Sequence, residues 1–185
     1  SLANPYGSPS LEELCAGKKD IVIISSDHTR PVPSRVTMPI LLHHIHSAAP
    51  EARVRILVAT GMHRPSTHEE LVNKYGEEIV ANEEIVMHVA TDDSMMKKIG
   101  TLPSGGECII NKIAADCDLL LAEGFIEPHF FAGFSGSRKS VLPGIASYKT
   151  IMYNHNGQFV NDSHSRAGNP VSYTHLRAHE TVLDL

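Results

Sequence analysis

Three polar clusters in this chain hold the residue types that acid/base and cofactor chemistry require. "SSDHTRP" carries Asp27, His28 and Arg30, and "GMHRP" carries His63 and Arg64. "EPHFFAGFSGSRKSVLPGIASYKTIMYNH" (127–155) carries His129, Arg138, Lys139 and His155. Histidine titrates near neutrality, so two imidazoles on opposite sides of a substrate each give or take a proton. Arginine offers a planar fork suited to a carboxylate. A lysine in a glycine-rich loop beside Arg138 is expected to lose its proton more readily and to act as a nucleophile or covalent anchor. The set suits a small hydroxy acid or keto acid.

Other chemistries fit less well. "GFSGSRKS" (133–140) offers Lys139 and Ser140, but Arg138 stands where a Walker loop needs its second glycine. Its glycines still allow backbone amides to meet an anion at a helix start. That leaves an alternative, a non-catalytic anion- or nucleotide-binding Rossmann-like module. There is no HExxH and no structural zinc spacing, although His63, His129 and His155 could meet in space. A G-x-S-x-G nucleophile elbow fails at Ser137, where glycine would be required. His43, His44 and His46 in "LLHHIH" are too closely spaced on a helix to face one ion together.

The elements that must position these clusters alternate. Strands are predicted over 20–26, 54–60, 84–90 and 118–127, each a short apolar run rich in β-branched or leucine residues. Helices are predicted over 37–50, over 68–82 with a capping box between Thr67 and Glu70, and over 108–117. Pro39 fits such a helix only in its first turn, and helical character after 137 breaks at Pro143–Gly144. Strands alternating with helices predict an α/β fold, a Rossmann-like parallel sheet with helices on both faces. Ligands bind such sheets at the carboxyl ends of the strands, where all three clusters fall. Asp27, His28, Arg30, His63, Arg64, His129, Arg138 and Lys139 are therefore expected on one rim.

Composition bounds the rest. The 185 residues suffice for one domain with its own core, and 20% charged residues is ordinary for a globular chain. A net charge of -5 without a basic stripe argues against nucleic acid as a partner. No apolar run approaches the roughly 20 residues that span a bilayer, and no signal peptide is visible. Cys15, Cys108 and Cys117 form no CxxC pair, which suits reduced thiols and a cytoplasmic location.

"SSDHTRPVPS", "ATGMHRP", "EPHFFAGFSGSRKSVLPG" and "YNHNGQFVND", in that order, resemble the amino-terminal domain of the nickel-pincer-dependent lactate racemase family, over about Asn4 to Asn169. The resemblance implies an isomerase that interconverts the enantiomers of a 2-hydroxy acid by hydride transfer to a nickel-pincer nucleotide (nickel pyridinium-3,5-bisthiocarboxylic acid mononucleotide). It makes Lys139 the covalent anchor of that cofactor and His155 the nickel ligand. His63 and His129 become the acid/base pair. Asp27 and Arg30 orient a catalytic histidine and bind substrate or cofactor, with Gly136 and Ser137 also at the cofactor.

The family also has a carboxyl-terminal domain that closes over the cofactor, and none of its motifs is present. Residues 1–169 are thus read as a partial amino-terminal catalytic domain, expected to be inactive alone. The segment "PVSYTHLRAHETVLDL" (170–185) matches no family motif and is read as a non-native tail, its His175 and His179 without function.

Overall fold

The apolar run after Asp20 becomes the strand around which the chain is built. The computed structural model describes residues 2, 5–130, 133–161, 165 and 167, leaving aside the side chains of Ser137 and Phe159. The segment 170–185, with His175 and His179, lies outside the described residues.

A short helix α1 (Leu11–Cys15) comes first, its amino end closed by a reciprocal capping box between Ser10 and Glu13. In β1 (Asp20–Ser26) five consecutive residues are buried, as in a strand covered on both faces. There follow α2 (Ser34–Ala48), β2 (Arg53–Ala59), α3 (His68–Tyr75), α4 (Glu77–Asn82) and β3 (Glu84–Met87). Then come β4 (Met96–Thr101), β5 (Glu107–Asn111), α5 (Lys112–Asp116) and β6 (Leu119–Ala122). Two-residue strands β7 (Pro128–His129) and β8 (Gly133–Phe134) precede a 3-10 turn over Ser137–Ser140, α6 (Tyr148–Asn154) and α7 (Gly157–Val160).

The main sheet has the order β3-β2-β1-β6, with every neighbouring pair parallel. Alternate side chains leave it on opposite faces. Ile21, Ile23, Ile56 and Val58 pack against Met38, Leu42 and Ile45 of α2 and against Tyr75 and Ile79. Val22, Ile24 and Leu57 pack on the other side against Ile110, Ala114, Leu142, Ile145 and Ile151. The expected α/β architecture with a parallel sheet covered on both faces is the one observed. Removing any of these buried isoleucines to alanine should cost about 2–5 kcal/mol. Among the described residues no helix is long and apolar enough to cross a membrane.

Several elements differ from expectation. Cys108–Asn111 is strand, not helix: β5 pairs antiparallel with β4, and only Lys112–Asp116 is helical. The Ile109–Ile110 run is β-branched, and cross-strand pairing decides its conformation. The strands expected over 84–90 and 118–127 end at Met87 and Ala122. Gly76, at φ 91°, divides the helix expected over 68–82 into α3 and α4. α2 begins at Ser34, so Pro39 lies in its second turn. Pro39 is exposed there, and water can serve the carbonyl that its ring leaves without a donor.

Candidate active site

Because β1, β2 and β6 are adjacent and parallel, the loops after them open at the same edge of the sheet. They surround a cavity of about 310 Å³, at the small end of the usual range for ligand pockets. Asp27, Arg30, His63, His129, Gly136, Lys139 and His155 all line it, together with Glu123, Glu127, Phe125 and Phe130.

Asp27 sits just past β1 and is 2% exposed. Its Oδ1 accepts from the Thr29 backbone N–H at 3.1 Å and the Thr29 hydroxyl at 2.6 Å. Its Oδ2 lies 2.6 Å from Nδ1 of His63, which enters from the loop after β2. Burial opposes ionisation of this carboxyl, but the bonds from Thr29 and His63 prevail and hold it below the usual aspartate value. An ionised carboxylate accepts only, so His63 Nδ1 carries the proton and its Nε2 carries the lone pair. The His63 side chain remains about half exposed.

The other half of the cavity comes from the segment after β6. His129, in the β7–β8 hairpin, stacks on the Phe130 ring with centroids 4.7 Å apart. Burial, then the charges of Lys139, Arg30 and His155, push its pKa down to about 4. It is a neutral imidazole at ordinary pH. Lys139 lies in the 3-10 turn that Gly136 opens at φ 78°. Burial, then Arg30, lower its amine to about 8. Among the described residues the cation that lowers it is Arg30 from the loop after β1, and the neighbouring Arg138 is exposed.

His155 closes α6, with Nδ1 3.1 Å from the Ile151 carbonyl. Burial lowers its pKa against that bond, and Lys139 adds to the effect. The neutral ring thus keeps its proton on Nδ1 and its lone pair on Nε2, the tautomer of a metal-ligating histidine whose other nitrogen is fixed by a carbonyl. Among the described residues no group of three or more His, Cys, Asp or Glu could hold a metal by itself.

The lysine segment is pinned from behind. The Gly61 N–H donates to the Gly144 carbonyl at 2.9 Å. His88, fully buried, has Nε2 3.0 Å from the Ala146 carbonyl and Nδ1 3.2 Å from the Asn111 amide nitrogen. Burial keeps His88 neutral, and its role is structural.

Not every residue expected on the rim reaches the cavity. His28 Nδ1 meets the Ser66 hydroxyl at 3.0 Å, and its Nε2 is 3.7 Å from Glu70. Arg64 makes a two-pronged contact with Glu70. Both are turned aside because Glu70, the capping-box residue of α3, concentrates negative charge there; the Arg64 bonds hold it at about 2. These contacts tie the loop after β1 to the loop after β2. The Ser137 side chain lies outside the described residues. Glu123, which the sequence reading missed, is buried at the cavity wall. Its signal was a carboxylate ending the apolar run "LLLAE".

Fold and cavity together define an α/β protein with a ligand site at the carboxyl ends of parallel strands. The chain belongs to the lactate racemase N-terminal domain family, whose model matches residues 1–168. It is 75% identical over 169 residues to a lactate racemase of Lactiplantibacillus plantarum, covering 91% of this chain and 40% of that protein. It is 55% identical over 168 residues to a lactate racemase of Thermoanaerobacterium thermosaccharolyticum, covering 91% and 39%. The solved lactate racemase apoprotein of T. thermosaccharolyticum superposes with a TM-score of 0.92 at 52% identity, over 98% of this chain and 44% of that one. A Thermotoga maritima protein shares the fold, with a TM-score of 0.76 at 20% identity, over 94% and 45%. The chain thus spans about 40% of the length of the curated relatives it matches.

Proposed function

We propose that this chain is the cofactor-anchoring and proton-transferring part of an enzyme that interconverts the enantiomers of a 2-hydroxy acid. Lactate is the substrate in the names of its relatives. The observation that carries the reading is one cavity holding two histidines in different states beside a lysine of lowered pKa. One histidine is bound to a buried aspartate, and the other is held neutral.

The residues fit the nickel-pincer nucleotide that the family resemblance implies. Lys139 has an amine near 8, so roughly a tenth of it is unprotonated at pH 7, as a covalent anchor needs. His155 would offer Nε2 to nickel, and a single imidazole suits a metal whose other donors arrive with the cofactor. At Gly136 a side chain would meet the Phe125 carbonyl oxygen at 2.7 Å, so the turn bearing Lys139 can lie against the 125–127 segment only with glycine there. Gly136 and Ser137 would line the cofactor, and Arg30 would face the negative groups of cofactor or substrate. When bound, the nickel-pincer nucleotide supplies an acceptor for the C2 hydrogen as hydride and returns it.

The chain's own task is then the hydroxyl proton. The C2 hydrogen of a 2-hydroxy acid is too weakly acidic for an imidazole to remove as a proton. The hydroxyl proton, by contrast, must leave as the C2 hydrogen leaves and return as it returns. His63 accepts it at Nε2, and Asp27 stabilises the resulting imidazolium. His129, neutral at rest, does the same for the opposite enantiomer. The remaining length of a full-length protein would complete the cleft.

Chiral assay of D- and L-lactate with a full-length, cofactor-loaded protein carrying this sequence tests the reading. His63→Ala and His129→Ala should each lower racemisation by about 10²–10⁴-fold while nickel content is kept. Full activity in either variant would sink the two-base reading.

A further inference from the structure

We propose that Glu123 is a positioning residue of this site: its carboxylate clamps both ends of the loop that carries Asp27 and Arg30. Glu123 follows β6, and its backbone N–H donates to the Ile24 carbonyl at 2.8 Å, which seats it beside the end of β1. Its Oε2 accepts from the Ser25 hydroxyl at 2.8 Å and from the Ser34 hydroxyl at 2.8 Å. The Thr37 hydroxyl meets its Oε1. Ser25 comes two residues before Asp27, whereas Ser34 and Thr37 are in the first turn of α2, directly after the loop. One side chain from a third element therefore joins the loop's entrance to its exit.

The surroundings strengthen the case. Ser25 and Ser34 are 0% and 1% exposed, so the contacts are shielded from competing water. The N-cap of α2 is Pro33, which makes no side-chain capping bond. The Glu123 carboxylate and the first-turn hydroxyls supply the anchor that a cap would otherwise give, and a negative charge suits that end of the helix dipole. Positive charge comes from α3, where Lys74 Nζ lies 3.3 Å from the Ser26 hydroxyl. Burial weakens the hold of Lys74 on its proton, and the charges of Glu123 and Asp27 act against that loss.

Stability alone does not account for such a group. Replacing a buried charged cluster by packed apolar residues is often neutral or stabilising, so a carboxylate with three hydroxyl partners is better understood as fixing one arrangement. What it fixes is the loop on which the 2.6 Å contact between Asp27 and His63 depends. A misplacement of about 1 Å at a catalytic group costs on the order of 10²-fold in rate.

The inference rests on the acid/base reading of Asp27 and His63, and its test separates the two. In a full-length protein carrying this sequence, Glu123→Gln and the double variant Ser34→Ala/Thr37→Val would be compared with wild type. The first measurement is the nitrogen-15 spectrum of His63 in the cofactor-free protein, which reports the tautomer without any turnover. Wild type should show the proton on Nδ1; both variants should show a mixture with Nε2–H, and kcat of the loaded enzyme should fall on the order of 10- to 100-fold. A wild-type His63 tautomer and wild-type kcat in the folded variants, with only a lower melting temperature, would make Glu123 purely structural and overturn the proposal. If Glu123→Gln does not fold, Thr37→Val, which keeps both serine contacts, decides on the same two readouts. Racemisation that survives His63→Ala would defeat the acid/base reading, whereas the tautomer shift would still report the clamp.

Discussion

His63 Nδ1 lies 2.6 Å from Asp27 Oδ2, and through that contact the loop after β2 is held by the loop after β1. Asp27 cannot move away without leaving a buried carboxylate short of a partner, so the imidazole has one orientation and one tautomer. Asp27→Asn keeps the shape but can present its amide N–H₂ to Nδ1 and so reverse that tautomer. The loaded full-length enzyme should lose at least about 100-fold in kcat, as tautomer reversal does in aspartate-oriented catalytic histidines generally, with the fold retained by circular dichroism.

The same carboxyl sets an acid limit. Its folded pKa is depressed below the unfolded value of about 3.9, so it contributes stability above that pH. That contribution is lost as pH falls through the folded value. The melting temperature of wild type should drop more steeply below about pH 4 than that of Asp27→Asn. Parallel curves would show that Asp27 is not ionised in the native site.

Lys139 gives a slope of the same sign at higher pH, but there the shift marks a burial cost and not a gain. Its folded value of about 8 lies below the ordinary lysine value of about 10.4, so the unfolded chain binds more protons between them. The penalty for burying the ammonium is complete below pH 8 and is relieved as pH rises towards 10.4. Cofactor-free Lys139→Met should therefore melt above wild type at pH 7, and the difference should shrink by pH 10. Acylation of Lys139 should also rise with a midpoint near pH 8.

His129 should titrate near 4 by NMR, because burial, then the charges of Lys139 and Arg30 and the nearby His155 ring, disfavour its imidazolium. Lys139→Met removes one of those charges, so the midpoint should rise. It should stay below the ordinary histidine value of about 6.5, since burial is the largest cause.

Gly136→Ala should damage the site without touching any proposed catalytic side chain. At φ 78° an alanine is strained, and its Cβ would press against the Phe125 carbonyl at 2.7 Å. A cost of about 1–3 kcal/mol is expected, read as a lower melting temperature, together with reduced cofactor incorporation.

Much of this architecture was legible because particular residues carry unambiguous signals. "DIVIISS" can hardly be anything but a buried strand, and "THEE" announces the capping box that Thr67 and Glu70 form. Polar clusters that end such strands had to share an edge, and Asp27, Arg30, His63, His129, Lys139 and His155 do line one cavity. The rest depended on pairings that local pattern does not encode. "ECIIN" becomes β5 only because Met96–Thr101 lies beside it. Glu70, legible as a cap, also draws His28 and Arg64 away from the cavity. Arg30, distant in sequence, supplies the charge expected from Arg138. Glu123 reads as a strand-ending acid until Ser25, Ser34 and Thr37 are seen around it.

Anchoring of a cofactor by Lys139 in this cavity can be read by peptide mass spectrometry of the full-length, cofactor-loaded protein. A covalent adduct is expected on the peptide containing Lys139, lost together with racemase activity in Lys139→Ala. An active preparation whose Lys139 peptide carries no added mass, or an adduct that persists at another residue in Lys139→Ala, would contradict it.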